Sequence, residues 1–175
     1  MLIRNALLVG TLLFVLVLAQ GCGSGGIDVD IKNVNSGATA KDGLEPLERG
    51  KIRREILNEI EEGVAIWLKG DSSGYSKAFT KKLAASYTDQ VEKLHLRGTD
   101  KVRRHENQAF EVIELTKDSA TVKYTFIDKS YFISTSTGKV VTPSKDAESE
   151  IYINVVKEEN RWKMQSLIGS GEATL

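Results

Sequence analysis

The sequence predicts an α+β fold, with N-terminal helices packed on an antiparallel sheet. Apolar residues recur every three or four positions from about residue 46 to residue 96. Beyond Gly98 the apolar residues alternate with polar ones, and short polar turns separate the alternating runs. The first period buries one stripe of a helix and the second buries one face of a strand. Helices followed by hairpin-linked strands make a two-layer α+β domain.

The chain opens with Met1 to Asn5, where Arg4 and the terminal amine are the positive charges. Ala6 to Ala19 is apolar and uncharged. That run has the length of a signal-peptide core and is short for a membrane span, which takes about 20 residues. It ends in Leu18-Ala19-Gln20-Gly21-Cys22. The segment resembles the lipobox of bacterial lipoproteins, in which a small residue precedes a cysteine that receives a diacylglyceryl thioether. Gly21 and Cys22 match the pattern; Ala19 and Gln20 stand where Leu and a small residue are commoner. The resemblance implies that residues 1–21 are a signal peptide cut between Gly21 and Cys22. It also implies lipid attachment at Cys22 and a place in the cell envelope, on the extracytoplasmic side of a membrane. One acyl chain binds a membrane marginally, whereas two or more anchor stably. An uncleaved membrane helix is the competing reading, and it also leaves the domain outside the cytoplasm.

Residues 22–44 read as a flexible tether, rich in Gly, Ser and Asn and free of aromatic side chains. Such a stretch reaches about 25 Å. The domain proper is expected over residues 45–170.

Glu45-Pro46 marks a helix start, since proline suits the first helical turn. Ile52, Ile56, Ile60, Val64 and Leu68 follow at a spacing of four, with Leu57 and Trp67 widening the stripe. Gly63 interrupts the helix at a cost of about 1 kcal/mol relative to Ala, which predicts a partner packed closely against it. Lys69-Gly70-Asp71 closes the helix. Tyr75, Phe79, Leu83, Tyr87, Val91 and Leu94 carry a second helical region, read either as one helix or as two with a break near Ser86 to Thr88, with Gly98 as its cap.

Strands are expected at Ala109 to Leu115 and, after a turn at Lys117 to Ser119, at Ala120 to Phe126. Tyr131 to Ser134 extends or restarts that strand. Thr137-Gly138 turns the chain into Lys139 to Thr142, and Pro143 to Asp146 is a loop. Ile151, Ile153 and Val155 alternate, Glu158 to Asn160 turns, and Trp162, Met164 and Ile168 point one way from the last strand. The apolar sheet face is expected against Ile56, Ile60 and Phe79.

This order of elements resembles the nuclear-transport-factor-2-like superfamily (cystatin-like, SnoaL-like) over roughly Pro46 to Ile168. The quoted pieces are the helix ending Trp67-Leu68-Lys69-Gly70-Asp71, the second helix from Tyr75, and the closing hairpin through Asn160-Arg161-Trp162-Lys163-Met164. The resemblance implies a curved sheet and helices forming a cone with a pocket. Trp67, Asp71, Tyr75, Tyr87 and Tyr124 are the expected pocket lining. The fold hosts enzymes, binders and assembly modules, so it assigns no activity.

Enzymes of that superfamily use pocket Asp, His and Tyr, which would here be Asp71, Tyr75, Tyr87, His105 and Tyr124. The residues themselves argue otherwise. His105 lies in the polar run Arg103-Arg104-His105-Glu106-Asn107 and is expected at the solvent; His95 lies on a charged helix end. The three tyrosines follow the core period. The pairs Lys81-Lys82 and Arg103-Arg104 read as solvated faces. No catalytic residue is therefore assigned. A binding or assembly module is expected in preference to a small isomerase or hydrolase.

The bulk composition agrees. With 24 basic and 24 acidic residues the chain has no net pull toward nucleic acid. One cysteine and two histidines supply neither a disulfide nor a Cys/His zinc site. No dinucleotide, P-loop, zinc-protease or serine-hydrolase motif occurs, so neither cofactor nor metal is expected. The expected partners are the membrane, through Cys22, and an envelope protein or a small apolar ligand.

Overall fold

The computed structural model describes residues 43–169. The lipobox with Gly21 and Cys22, and the tether up to residue 42, lie outside the described residues.

Helix α1 spans Pro46–Lys69. It stops at Gly70, whose φ of 70° is left-handed and whose N–H bonds the Trp67 carbonyl at 3.1 Å. Ile52, Ile56, Ile60 and Val64 are buried along one face. Leu44, expected at the end of the tether, is buried with them, so packing begins ahead of the helix. Gly63 does meet a close partner. A Cβ there would stand 2.7 Å from Met164 Cε and 3.3 Å from Ala78 Cβ.

A single 3₁₀ turn, Ser72–Gly74, leads into α2 (Tyr75–Ala78) and α3 (Lys81–Leu96). The second helical region thus breaks at Phe79 and Thr80, not near Ser86 to Thr88. The cause is tertiary. Phe79 is extended, fully buried and bridged to Met164, and the Thr80 N–H donates to the Met164 carbonyl at 3.0 Å. The helical bonds lost at the break are replaced by bonds to a strand.

Seven strands follow among the described residues: β1 (Thr99–Val102), β2 (His105–Leu115), β3 (Ser119–Asp128), β4 (Tyr131–Ser134), β5 (Val140–Thr142), β6 (Ala147–Glu158) and β7 (Arg161–Gly169). They pair antiparallel in two sheets, ordered β2-β3-β6-β7 and β1-β4-β5. Two chain segments run side by side at a bend between the sheets. Chain segments run from β1 to β2 through Arg103–Arg104 and from β3 to β4 through Lys129–Ser130. The Lys129 N–H donates to the Arg104 carbonyl at 2.8 Å across that bend. Tyr131 to Ser134 therefore restarts a strand in the second sheet. Strand β1 is not expected from the sequence, because its Thr-Asp-Lys-Val shows no apolar alternation.

Glu159 and Asn160 both have positive φ, 53° and 62°, and close a two-residue hairpin between β6 and β7. On β7, Trp162 and Met164 are buried as expected, but Ile168 is 49% exposed. Val155 pairs with Met164 and Asn154 with Ser166, which leaves Gln165 as an extra residue. One added residue reverses the alternation, so Leu167 turns toward the core and Ile168 away from it.

The core lies between α1, the Tyr75–Phe79 segment and the four-stranded sheet. Ile56, Ile60, Tyr75, Phe79, Val122, Tyr124, Ile153 and Met164 are all fully buried there. Arg161 of β7 pairs with Glu59 of α1 at its rim.

Candidate functional site

Helix α3 is the anomaly in this packing. Leu83, Tyr87, Gln90, Leu94 and Arg97 recur on one face at spacings of three and four. Yet no residue of α3 is buried. An amphipathic face normally sits on a core; this one stands over a cavity of about 510 Å³. The opposite walls come from Trp67 at the end of α1, Lys101 of β1, Phe132 of β4, Ile151 of β6, and Ser166 and Leu167 of β7. The β7 bulge is what turns Leu167 inward. Arg103, on the bend between the sheets, completes the lining.

The charges at the cavity are all of one sign. No Asp, Glu or His lines it, and Lys93, Arg97, Lys101 and Arg103 do. Lys93 is neutralised by Asp89 at 2.6 Å. Arg97, Lys101 and Arg103 make no ion pair among the described residues. Lys101 Nζ lies 5.8 Å from the Phe132 ring centre, and Arg103 Cζ lies 5.6 Å from that of Trp67. Burial lowers the Lys101 pKa from its ordinary value, and the Arg103 guanidinium lowers it further. Burial raises the pKa of the Tyr87 phenol, against the pull of Arg103.

The expected lining residues divide into three groups. Trp67 and Tyr87 line the cavity and meet edge to face at 6.0 Å. Tyr75 and Tyr124 are fully buried in the core instead. Asp71 is an exposed surface residue. Its carboxylate accepts the Ser73 N–H at 2.9 Å, capping the 3₁₀ turn, and hydrogen bonding from the Ser73 side chain, with that backbone bond, holds its pKa low.

His105 is not at the solvent: its side chain is 3% exposed. The ring stacks on Phe126 at 3.7 Å and meets Trp67 edge on at 5.5 Å. Its Nδ1 lies 2.9 Å from the Tyr124 hydroxyl, which donates to Gln108 Oε1 at 2.8 Å. That leaves the tyrosine oxygen to accept from a protonated Nδ1. Burial drives the His105 pKa down to about 4, against the attraction of Asp128 at 3.8 Å. The polar neighbours of His105 do not set its burial, because alternate strand residues face opposite ways. Neither His105 nor Tyr124 lines the cavity. The pair Arg103-Arg104 splits likewise: Arg104 is exposed, whereas Arg103 is half-buried over Trp67. The sequence signal for the site is Lys101 and Arg103, two apart, and not the adjacent pair Arg103-Arg104. His95 is exposed at the end of α3, 3.8 Å from Asp100, and Lys81 and Lys82 are exposed.

The fold is similar to that of a solved structure. The intermembrane space region of chloroplast protein ARC6 superposes with a TM-score of 0.54 at 10% identity, covering 69% of this chain and 96% of that one. At that identity the likeness is one of fold alone. A Nostoc punctiforme protein of unknown function with a cystatin-like fold aligns over 74% of this chain and 96% of its own, at 13% identity and a TM-score of 0.34. An alignment that loose carries no argument. No protein-family model matches the sequence, and no curated protein matches it.

Among the described residues no helix is long and apolar enough to cross a membrane. No group of three or more His, Cys, Asp or Glu among them is placed to hold a metal ion.

Proposed function

We propose that the chain is a binding module of the cell envelope, tethered to a membrane by lipid on Cys22, which takes a small, mainly apolar ligand between α3 and the sheets. The observation that carries this is the half-buried face of α3 over a cavity of about 510 Å³. Ligand sites of drug-sized molecules are concave, mostly apolar and of roughly 300–1,000 Å³. An isomerase or hydrolase at the same place is the weaker reading. It needs a carboxylate or an imidazole at the cavity, and the lining offers Tyr87 and cations. The ARC6 region of similar fold is named for an intermembrane space, a setting compatible with a domain held at a membrane.

The test uses a neutral apolar dye, Nile red, titrated into the full chain with detection by fluorescence. Saturable one-to-one binding is expected, weakened at least about tenfold by Leu167→Trp, which fills the cavity from β7. Absence of saturable binding, or binding indifferent to that substitution, refutes the cavity as a ligand site.

A further inference from the structure

We infer that the ligand carries one anionic head, a carboxylate or a phosphate monoester, on an apolar body, and that Lys101 and Arg103 grip the head while Arg97 guides it from the exposed side. The inference rests on the cavity being a ligand site. It adds the charge and the shape of what enters.

Four cations line this cavity, and three of them, Arg97, Lys101 and Arg103, have no carboxylate partner among the described residues. Exposed lysines and arginines ordinarily keep their heads in water. Lys101 and Arg103 instead lie over Phe132 and Trp67, and both are half-buried. Arg103 Nε is fully enclosed with no hydrogen-bond partner among the described residues. Holding cations beside apolar walls, and near each other, costs desolvation and repulsion. A bound anion offsets both, and a guanidinium offers a carboxylate or a phosphate a forked pair of donors. Asp128 attracts Lys101 without forming an ion pair with it, so the ammonium stays available. A cationic ligand is repelled, and a neutral one leaves the pair uncompensated. The rest of the lining, Leu83, Leu94, Ile151 and Leu167 among it, matches an aliphatic or aromatic body.

The full chain is titrated below micelle concentrations with dodecanoate, dodecyl phosphate, dodecan-1-ol and inorganic phosphate, with affinity read by calorimetry. The anionic amphiphiles are expected to bind about tenfold or more tightly than the alcohol. Their two arms distinguish a carboxylate head from a phosphate head. Lys101→Met and Arg103→Met each reduce that preference and together abolish it, leaving alcohol binding in place. Circular dichroism verifies folding, and Arg104→Gln, one residue from Arg103 but exposed, keeps native affinities. Equal binding of alcohol and acid by the native chain overturns the anionic head while the cavity reading stands. A preference that survives both substitutions overturns the assignment to Lys101 and Arg103. Inorganic phosphate binding as tightly as dodecyl phosphate overturns the amphiphile. If none of the twelve-carbon probes binds, the cavity reading fails and this inference fails with it.

Discussion

His105 shows how a single side chain couples stability to pH. Its folded pKa is about 4, against an ordinary 6.5, because the ring is buried between Phe126 and Trp67. Between those values the unfolded chain binds a proton that the folded chain refuses. Stability therefore falls as pH drops from 6.5 toward 4, by up to about 3 kcal/mol from this group. Urea midpoints at pH 7 and pH 4.5 should show that fall, and His105→Gln should lessen it while costing stability at pH 7. An equal fall in both proteins would mean that the ring titrates normally. Gly63 makes a second residue-scale case. A Cβ in place of its hydrogen would press on Met164 Cε and Ala78 Cβ, so a branched side chain forces these packed neighbours to shift. Gly63→Val is expected to destabilise the fold by about 2 kcal/mol, measured by the same denaturation. The need for a close neighbour at Gly63 was legible in the sequence. The burial of His105 was not, because its neighbours Arg104 and Asn107 are exposed and advertise the opposite environment.

At the scale of elements, α1 and α3 carry the same kind of apolar period and do different work. On α1 the stripe is buried against the sheet: Ile56 and Ile60 are fully enclosed. On α3 the corresponding residues are half-covered because the cavity lies beneath them. Ile60→Ala should thus cost about 3 kcal/mol. Leu94→Ala should cost about 1 kcal/mol and chiefly weaken the binding of an apolar probe. Comparable losses of stability in the two variants would show that α3 packs as a core helix. A period in the sequence reveals which face of a helix is apolar. It does not reveal whether protein or ligand covers that face. The β7 bulge is a second case. The alternation Trp162, Met164, Ile168 holds only to Met164, and the unpaired Gln165 exchanges Ile168 for Leu167. Bulges follow from pairing with the neighbouring strand, which a lone strand sequence does not record.

At the scale of the molecule, the proposal joins a folded domain to a lipid anchor at Cys22, and each half is tested separately. Fractionation of cells making the full chain should place the native protein with membranes and release Cys22→Ser from them. Mass spectrometry should find a mature N-terminus at Cys22 carrying a diacylglyceryl thioether and an acylated amine. A Cys22→Ser protein that sediments with membranes as the native one does would remove the lipid from the argument, and peptides extending before Gly21 would remove the cleavage. The cavity and its ligand would be untouched by either result. Conversely, a lipidated protein with no affinity for amphiphiles would keep its place on the membrane and lose its proposed ligand.

The sequence by itself determined the layers. Helical and alternating periods, the proline at the start of α1, the glycine at its end and the polar turns all act through near neighbours. Local chemistry decided them, so they were readable in order along the chain. Tertiary structure alone decided the break at Phe79 and Thr80, the bend that splits the sheet, the inward turn of Leu167, and the meeting of Trp67, Lys101, Arg103 and Phe132 around one cavity. Each depends on hydrogen bonds or contacts between residues far apart in the chain. A linear pattern holds no term for a space that several distant elements enclose.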